Sequence, residues 1–306
     1  MSHIYEALQR ADQERKVAQE SEAKQVAEPV IVPRIEEPPA AKADVVLDNI
    51  AQHSWKPSMP SFPTLAERGA GVEQFRSLRS RVYQARYEAP LKTILISSGM
   101  PSEGKSFVAA NLAMSLARDN VNNILLIDAD LRRPTLHSML GAPDTPGLSE
   151  YLAGTAELND ILQRNRSPKA VDTASGHSFS NFTFIPAGKC GDNSSELVDN
   201  HRFEELTSTL STHFDWILID SPPVLAVADA VDIASAADAV LLVARGGNTP
   251  YDVAQRAQAA FRNSRILGFV LNAVKDAPRR GSYSYYYGGP EASNRAKRRK
   301  DKRSQA

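Results

Sequence analysis

The chain holds a single cysteine, Cys190, among 306 residues. That excludes an intrachain disulfide and points to a reducing compartment. It also lacks a surplus of either charge, since Lys+Arg and Asp+Glu number 36 each. No global field draws it to nucleic acid or to a membrane, so any such attraction is local. Long apolar runs are missing as well. None approaches the roughly 18 residues that read as a membrane span. The N-terminus, MSHIYEALQR, carries charges where a signal peptide would be apolar. A cytoplasmic protein is expected. What the chain does have is apolar content for one substantial core, 42% of its residues.

Texture divides the chain into four zones. Residues 1–18 read as a short helix, with Ile4, Leu8 and Ala11 on one stripe and Ser2 as its cap. Such a helix is marginal alone, so it frays or docks on a partner. Residues 19–65 read as a disordered linker, because Pro29, Pro33, Pro38, Pro39, Pro57, Pro60 and Pro63 discourage helix and sheet. Residues 66–275 read as globular. Residues 276–306 form a tail of tyrosines and basic residues that reads as disordered.

Within the globular zone, strand-length apolar runs alternate with helical patterns. The expected strands are Thr93–Ser97, Asn123–Asp128, Phe182–Ile185, Trp216–Asp220, Ala239–Ala244 and Leu267–Asn272. Ser106–Arg118, Ser195–Ser211, Val227–Ala236 and Tyr251–Arg262 read as helices. Nearly continuous apolar strands separated by helices imply a mostly parallel sheet covered by helices on both faces. Such a sheet binds ligands at the carboxyl ends of its strands.

The strongest motif stands at one such end. Gly99-Met100-Pro101-Ser102-Glu103-Gly104-Lys105-Ser106 fits G-x-x-x-x-G-K-[ST] between an expected strand and an expected helix. The chain therefore reads as an α/β P-loop NTPase. Backbone N–H groups and the helix N-terminus cradle phosphates there. Lys105 is placed for the β- and γ-phosphates of ATP, and Ser106 offers a hydroxyl to Mg²⁺. Phe107, next along, is counted with the nucleotide contacts. Asp128 and Asp220 end two other apolar strands, so a parallel sheet brings both carboxylates to the same edge. Both are expected to face the metal.

With these residues the family comes into view. Residues 73 to 287 resemble the cytoplasmic kinase domain of the bacterial tyrosine kinases of capsule and exopolysaccharide systems. Gly99–Ser106 resembles that family's Walker A loop, Ile127–Arg132 its Walker A′ motif and Ile217–Asp220 its Walker B motif. GLSEYLAG, FIPAGK and ILGFVLN also read like family text. Ser102 departs from the glycine usual before Glu-Gly-Lys. Glu73, Arg76 and Arg79 match an E-x-x-R-x-x-R pattern that resembles the family's ring-forming contact. Tyr283, Tyr285, Tyr286 and Tyr287 resemble its C-terminal autophosphorylation sites.

The resemblance implies phosphoryl transfer from ATP to a tyrosine hydroxyl. Asp128 is then a candidate for metal contact or for taking the tyrosine proton, with Asp130 as a second candidate. Arg132 is expected near phosphate or an acidic partner tail, and Asn272 near adenine. No membrane span is read in this chain, so it resembles the layout in which the kinase is separate from its membrane-spanning chain-length regulator. That partner's cytoplasmic tail would activate ATP binding at the inner face of the plasma membrane. A ring-like homo-oligomer is implied too, with peripheral membrane contact through the basic tail and no nucleic acid. The H-R-D and D-F-G motifs of eukaryotic-type kinases are missing. The alternatives are a Min/Par-type ATPase and an ATP-binding scaffold. Met100 stands where Min/Par proteins usually carry a lysine, which argues against the first.

Overall fold

The computed structural model describes residues 50–166, 180–189 and 201–274. The expected N-terminal helix, the tyrosine cluster and the basic run lie outside the described residues. Five strands build the centre of one sheet: β2 (Thr93–Ser98), β3 (Ile124–Asp128), β5 (Phe182–Ile185), β6 (Trp216–Asp220) and β7 (Ala239–Arg245). β8 (Ile266–Asn272) closes one edge, and two short strands, β1 (Ala51–His53) and β4 (Gln163–Asn165), close the other. The order is β1-β4-β5-β3-β6-β2-β7-β8. All pairings are parallel except that of β4 with β5.

Alternation along each strand splits the core in two. Ile94, Ile96, Trp216 and Leu218 point to one face, while Leu95, Ile217 and Ile219 point to the other. The first face is covered by α1 (Ala70–Glu88) and α2 (Lys105–Ala117). In α2, Val108, Ala109, Leu112, Ala113 and Leu116 are buried against the sheet. In α1, Val72, Phe75 and Val82 turn inward at helical spacing. A short helix, α3 (Leu136–Leu140), also packs on the first face, and the second face is covered by α4 (Leu148–Leu152), α5 (Leu158–Ile161), α6 (Arg202–Leu210), α7 (Asp229–Ser235) and α8 (Tyr251–Ala260).

One expectation is corrected here. The linker does not extend to residue 65. Ile50, Trp55, Phe62 and Leu65 are buried, and β1 joins the sheet. Trp55 meets Phe182 and Phe184 edge-on, with centroids 5.9 and 6.1 Å apart. Burying a side chain such as Phe62 contributes about 1.5–3 kcal/mol, enough to order a proline-interrupted segment against a preformed face.

Candidate active site

Parallel pairing sets the strand ends in line. Asp128 is the register partner of Asp220, and Ile96 lies beside Asp220 on its other side. The loop that leaves β2 therefore starts next to both carboxylates. It turns into α2 through Gly104, whose φ of +94° is left-handed. That conformation favours glycine, and a side chain there would also push the Asn272 amide off the Glu103 carbonyl. Ser102 adopts φ +66° without being glycine, at the position where the resembling family carries one.

Lys105 opens α2 and is only 8% exposed. Its ammonium donates to Asp130 Oδ2 at 2.7 Å and stands 3.8 Å from Asp220 Oδ1. Burial works against the charge, but Asp220 and Asp130 outweigh it and hold the Lys105 pKa above its ordinary value. Asp128 is fully buried. Its Oδ2 accepts from the backbone N–H of Thr135 at 3.1 Å and of Leu136 at 3.0 Å. Burial, with Asp220 beside it, pushes Asp128 up to about 8. Asp130 Oδ1 accepts the Arg133 N–H at 3.0 Å, which shapes the turn after β3.

Asp220 differs from its neighbours. It is fully buried, yet neither of its oxygens has a hydrogen-bond partner in the structure. The Ser106 hydroxyl faces it without a well-aligned hydrogen bond. Burial pushes Asp220 up to about 6, against the pull of Lys105 and Ser106. Buried polar atoms are normally paired. Two orphaned carboxylate oxygens beside a hydroxyl are hard donors, and they fit a divalent cation that arrives with phosphate.

Lys105, Ser106 and Asp130 border a cavity of about 480 Å³, whereas the fully buried Asp128 and Asp220 are not part of its lining. Of the expected nucleotide residues, Pro101, Ser102, Gly104, Lys105, Ser106, Asp130 and Arg132 line it. Gly99, Met100, Glu103, Phe107 and Asn272 do not. Phe107 instead packs edge-on against Phe75 of α1, 5.8 Å between centroids. Glu103 is buried and faces away from the cavity. Its Oε2 accepts the Met100 N–H at 2.8 Å and its Oε1 takes the Thr249 hydroxyl. Asn272 Nδ2 donates to the Glu103 carbonyl at 3.0 Å, and Arg245 donates to the Ser102 carbonyl at 3.0 Å. The outer side of the phosphate loop is thus latched to β7, β8 and the turn before α8, leaving its inner side for ligand. Arg132 lines the cavity, but its Nε is 3.1 Å from Asp229 Oδ2. Sequence reading missed Arg133, Pro222, Pro223 and Val227, which line the cavity too.

The pattern expected to form a ring contact lies on α1. Arg76 pairs with Glu73 of its own helix at 2.7 Å, and Arg79 reaches Asp119 at 3.2 Å and the Ser115 carbonyl at 2.8 Å. Among the described residues no helix is long and apolar enough to cross a membrane.

A phosphate loop between a central parallel strand and its helix, with acidic ends on two neighbouring strands, defines a P-loop nucleotide-binding domain. The AAA domain family model AAA_31 matches residues 91–249. Tyrosine-protein kinase YwqD of Bacillus subtilis is 32% identical over 216 residues, which cover 70% of this chain and 85% of that one. Tyrosine-protein kinase wzc of Salmonella typhimurium is 35% identical over 218 residues, but the match spans only 28% of its length. Among solved structures, the kinase domain of Escherichia coli tyrosine kinase ETK is similar, with a TM-score of 0.58 at 34% identity over 71% of this chain and 80% of that one. The chain belongs to the AAA_31 domain family and, within it, to the bacterial tyrosine-protein kinases.

Proposed function

We propose that this chain is an ATP-dependent tyrosine autokinase that regulates exopolysaccharide or capsule export. The observation that carries the reading is the buried Lys105 held between Asp130 and Asp220 at the mouth of the phosphate loop. Without nucleotide, Asp130 is the counterion of Lys105. Phosphate oxygens entering the loop would take the ammonium over and release the Asp130 carboxylate into the cavity. A base is then free beside the transfer site. The tyrosine oxygen forms its bond to the γ-phosphorus as the bond to the bridging β–γ oxygen breaks and ADP leaves. The phenolic proton passes to Asp130. Asp128, fixed by the backbone N–H groups of Asp130, Thr135 and Leu136, serves as a held neighbour rather than a mobile base. Mg²⁺, held through Ser106 and Asp220, would supply charge neutralisation to the phosphates. The other residues position the substrates and exclude water.

The family favours this reading over a Min/Par-type ATPase or a scaffold. Tyr283, Tyr285, Tyr286 and Tyr287 are the proposed acceptors. Each phosphate adds about −1.5 to −2 charges, which the basic tail would sense. A homo-oligomer assembled through the helix that carries Glu73, Arg76 and Arg79 would present one copy's tail to another's site. The proposed partner is a membrane-spanning chain-length regulator, which would recruit the kinase to the inner face of the plasma membrane. The basic tail is the proposed contact with that surface.

Full-length protein incubated with ATP and Mg²⁺ should gain phosphate on the tail tyrosines, mapped by mass spectrometry, and the Lys105→Met variant should gain none. ATP hydrolysis with unmodified tyrosines, even beside the regulator's cytoplasmic tail, would contradict the proposal.

A further inference from the structure

The cavity extends beyond what a phosphate chain needs, and its far wall has a different character. Lys105 turns its ammonium toward β3 and β6, where Asp130 and Asp220 stand, so the γ-phosphate end of a bound nucleotide points that way. The opposite side of the loop is closed by the Glu103, Thr249, Asn272 and Arg245 latch. A nucleophile must approach the γ-phosphorus in line with the leaving oxygen. Its open route runs over the loops that follow β3 and β6.

The loop after β6 is an apolar ledge. Pro222, Pro223 and Val227 line the cavity there. The ledge is fixed rather than loose. Ser97 donates from its hydroxyl to the Pro222 carbonyl at 3.0 Å, Ser221 donates to the Ile96 carbonyl at 3.2 Å, and the Val224 N–H bonds Ser98 O at 2.9 Å. The loop after β3 carries two adjacent arginines on the same cavity. Arg132 is tied to Asp229. Arg133 is exposed, and among the described residues its guanidinium makes no hydrogen bond or ion pair.

We propose that Arg133 and the Pro222–Pro223–Val227 ledge form the acceptor subsite, which receives a tyrosine side chain presented by a peptide. The inference rests on the kinase reading and assigns its second substrate a place. The ledge offers a rigid apolar surface to the face of the ring. Arg133 offers a guanidinium that stacks on an aromatic ring and stabilises the phenolate as the proton leaves. A free phenol ionises near pH 10, so a positive charge held close to the oxygen lowers the work of deprotonation. A serine on the same peptide backbone would stop short by the depth of a phenyl ring, so the subsite selects tyrosine by reach. Arg132, locked to Asp229, holds the loop so that Arg133 faces the opening.

The test uses the full chain with Tyr283, Tyr285, Tyr286 and Tyr287 changed to Phe, so that only an added peptide accepts phosphate. The peptide is GSYSYYYGG, the chain's own segment 281–289. Arg133→Ala and Val227→Asp should each raise the KM for the peptide at least about tenfold, while the Kd for Mg·ATP changes by less than about twofold. Arg133→Lys, which keeps the charge and loses the planar stacking surface, should recover part of the loss. Replacing the peptide's tyrosines by serine should abolish transfer. An unchanged peptide KM in Arg133→Ala, or an equal loss of Mg·ATP affinity, overturns the subsite while leaving the kinase reading intact. ATP hydrolysis by the parent chain with no transfer to any tyrosine overturns the kinase reading and the subsite with it.

Discussion

Asp220 is the least comfortable residue in the described structure. It is fully buried, its oxygens accept no hydrogen bond although Lys105 stands 3.8 Å away, and its register partner is another buried carboxylate, Asp128. Such an arrangement costs stability in the absence of ligand, a cost that the proposed Mg·ATP site would explain. Asp220→Asn should therefore raise the stability of nucleotide-free protein by about 1–2 kcal/mol and remove the extra thermal stabilisation given by Mg·ATP. Thermal melts with and without Mg·ATP read both effects, and a lower melting temperature in nucleotide-free Asp220→Asn would contradict the first. The pH dependence has a fixed sign. With Asp128 raised to about 8 and Asp220 to about 6, the folded state binds more protons than the unfolded state above the ordinary aspartate range near pH 4. The contribution is present in acid and is lost as pH rises toward 8, with a shallower slope in Asp220→Asn. The sequence made Lys105, Asp128 and Asp220 legible because a loop consensus and two strand ends mark them. It did not separate Arg132 from Arg133. Neighbouring arginines look alike in a sequence, and the deciding partner, Asp229, arrives 97 residues later.

At the scale of elements, the phosphate loop is held from outside by groups that sit on a different part of the sheet. Glu103 reads as one more loop residue, yet it is buried and points to Thr249 and Met100. Removing its carboxylate frees the loop rather than touching the phosphates. Glu103→Ala should raise the KM for Mg·ATP about tenfold through misplacement of the loop amides. Glu103→Gln keeps an acceptor for the Met100 N–H and should lose less. Steady-state kinetics at varied Mg·ATP decide this, and an unchanged KM in Glu103→Ala would show that the latch has no role in positioning. The strands β2, β3, β5, β6, β7 and β8 were legible because apolar runs bounded by turns mark buried strands. β1 and β4 were not. They have three residues each, AQH and QRN, too short and too polar to show a period.

Over the whole chain, the boundary set at residue 66 falls inside the fold, because Trp55 and Phe62 are buried in a core cluster built from strand and helix residues far along the chain. Local composition around them, rich in proline, carried the opposite message. The other end matters more for function. β8 ends at Asn272, on the same edge of the sheet as the phosphate loop and in contact with it. Tyr283 follows eleven residues later, and a segment of that length spans at most about 36–40 Å. That reach permits the proposed transfer between copies of the chain. The most direct measurement mixes two full-length variants with Mg·ATP: Lys105→Met with its tyrosines intact, and a chain with an intact site whose Tyr283, Tyr285, Tyr286 and Tyr287 are phenylalanine. Phosphotyrosine should appear on the Lys105→Met chain, because the second chain's site supplies the phosphoryl group. ATP turnover with no phosphotyrosine on the Lys105→Met chain would contradict the account.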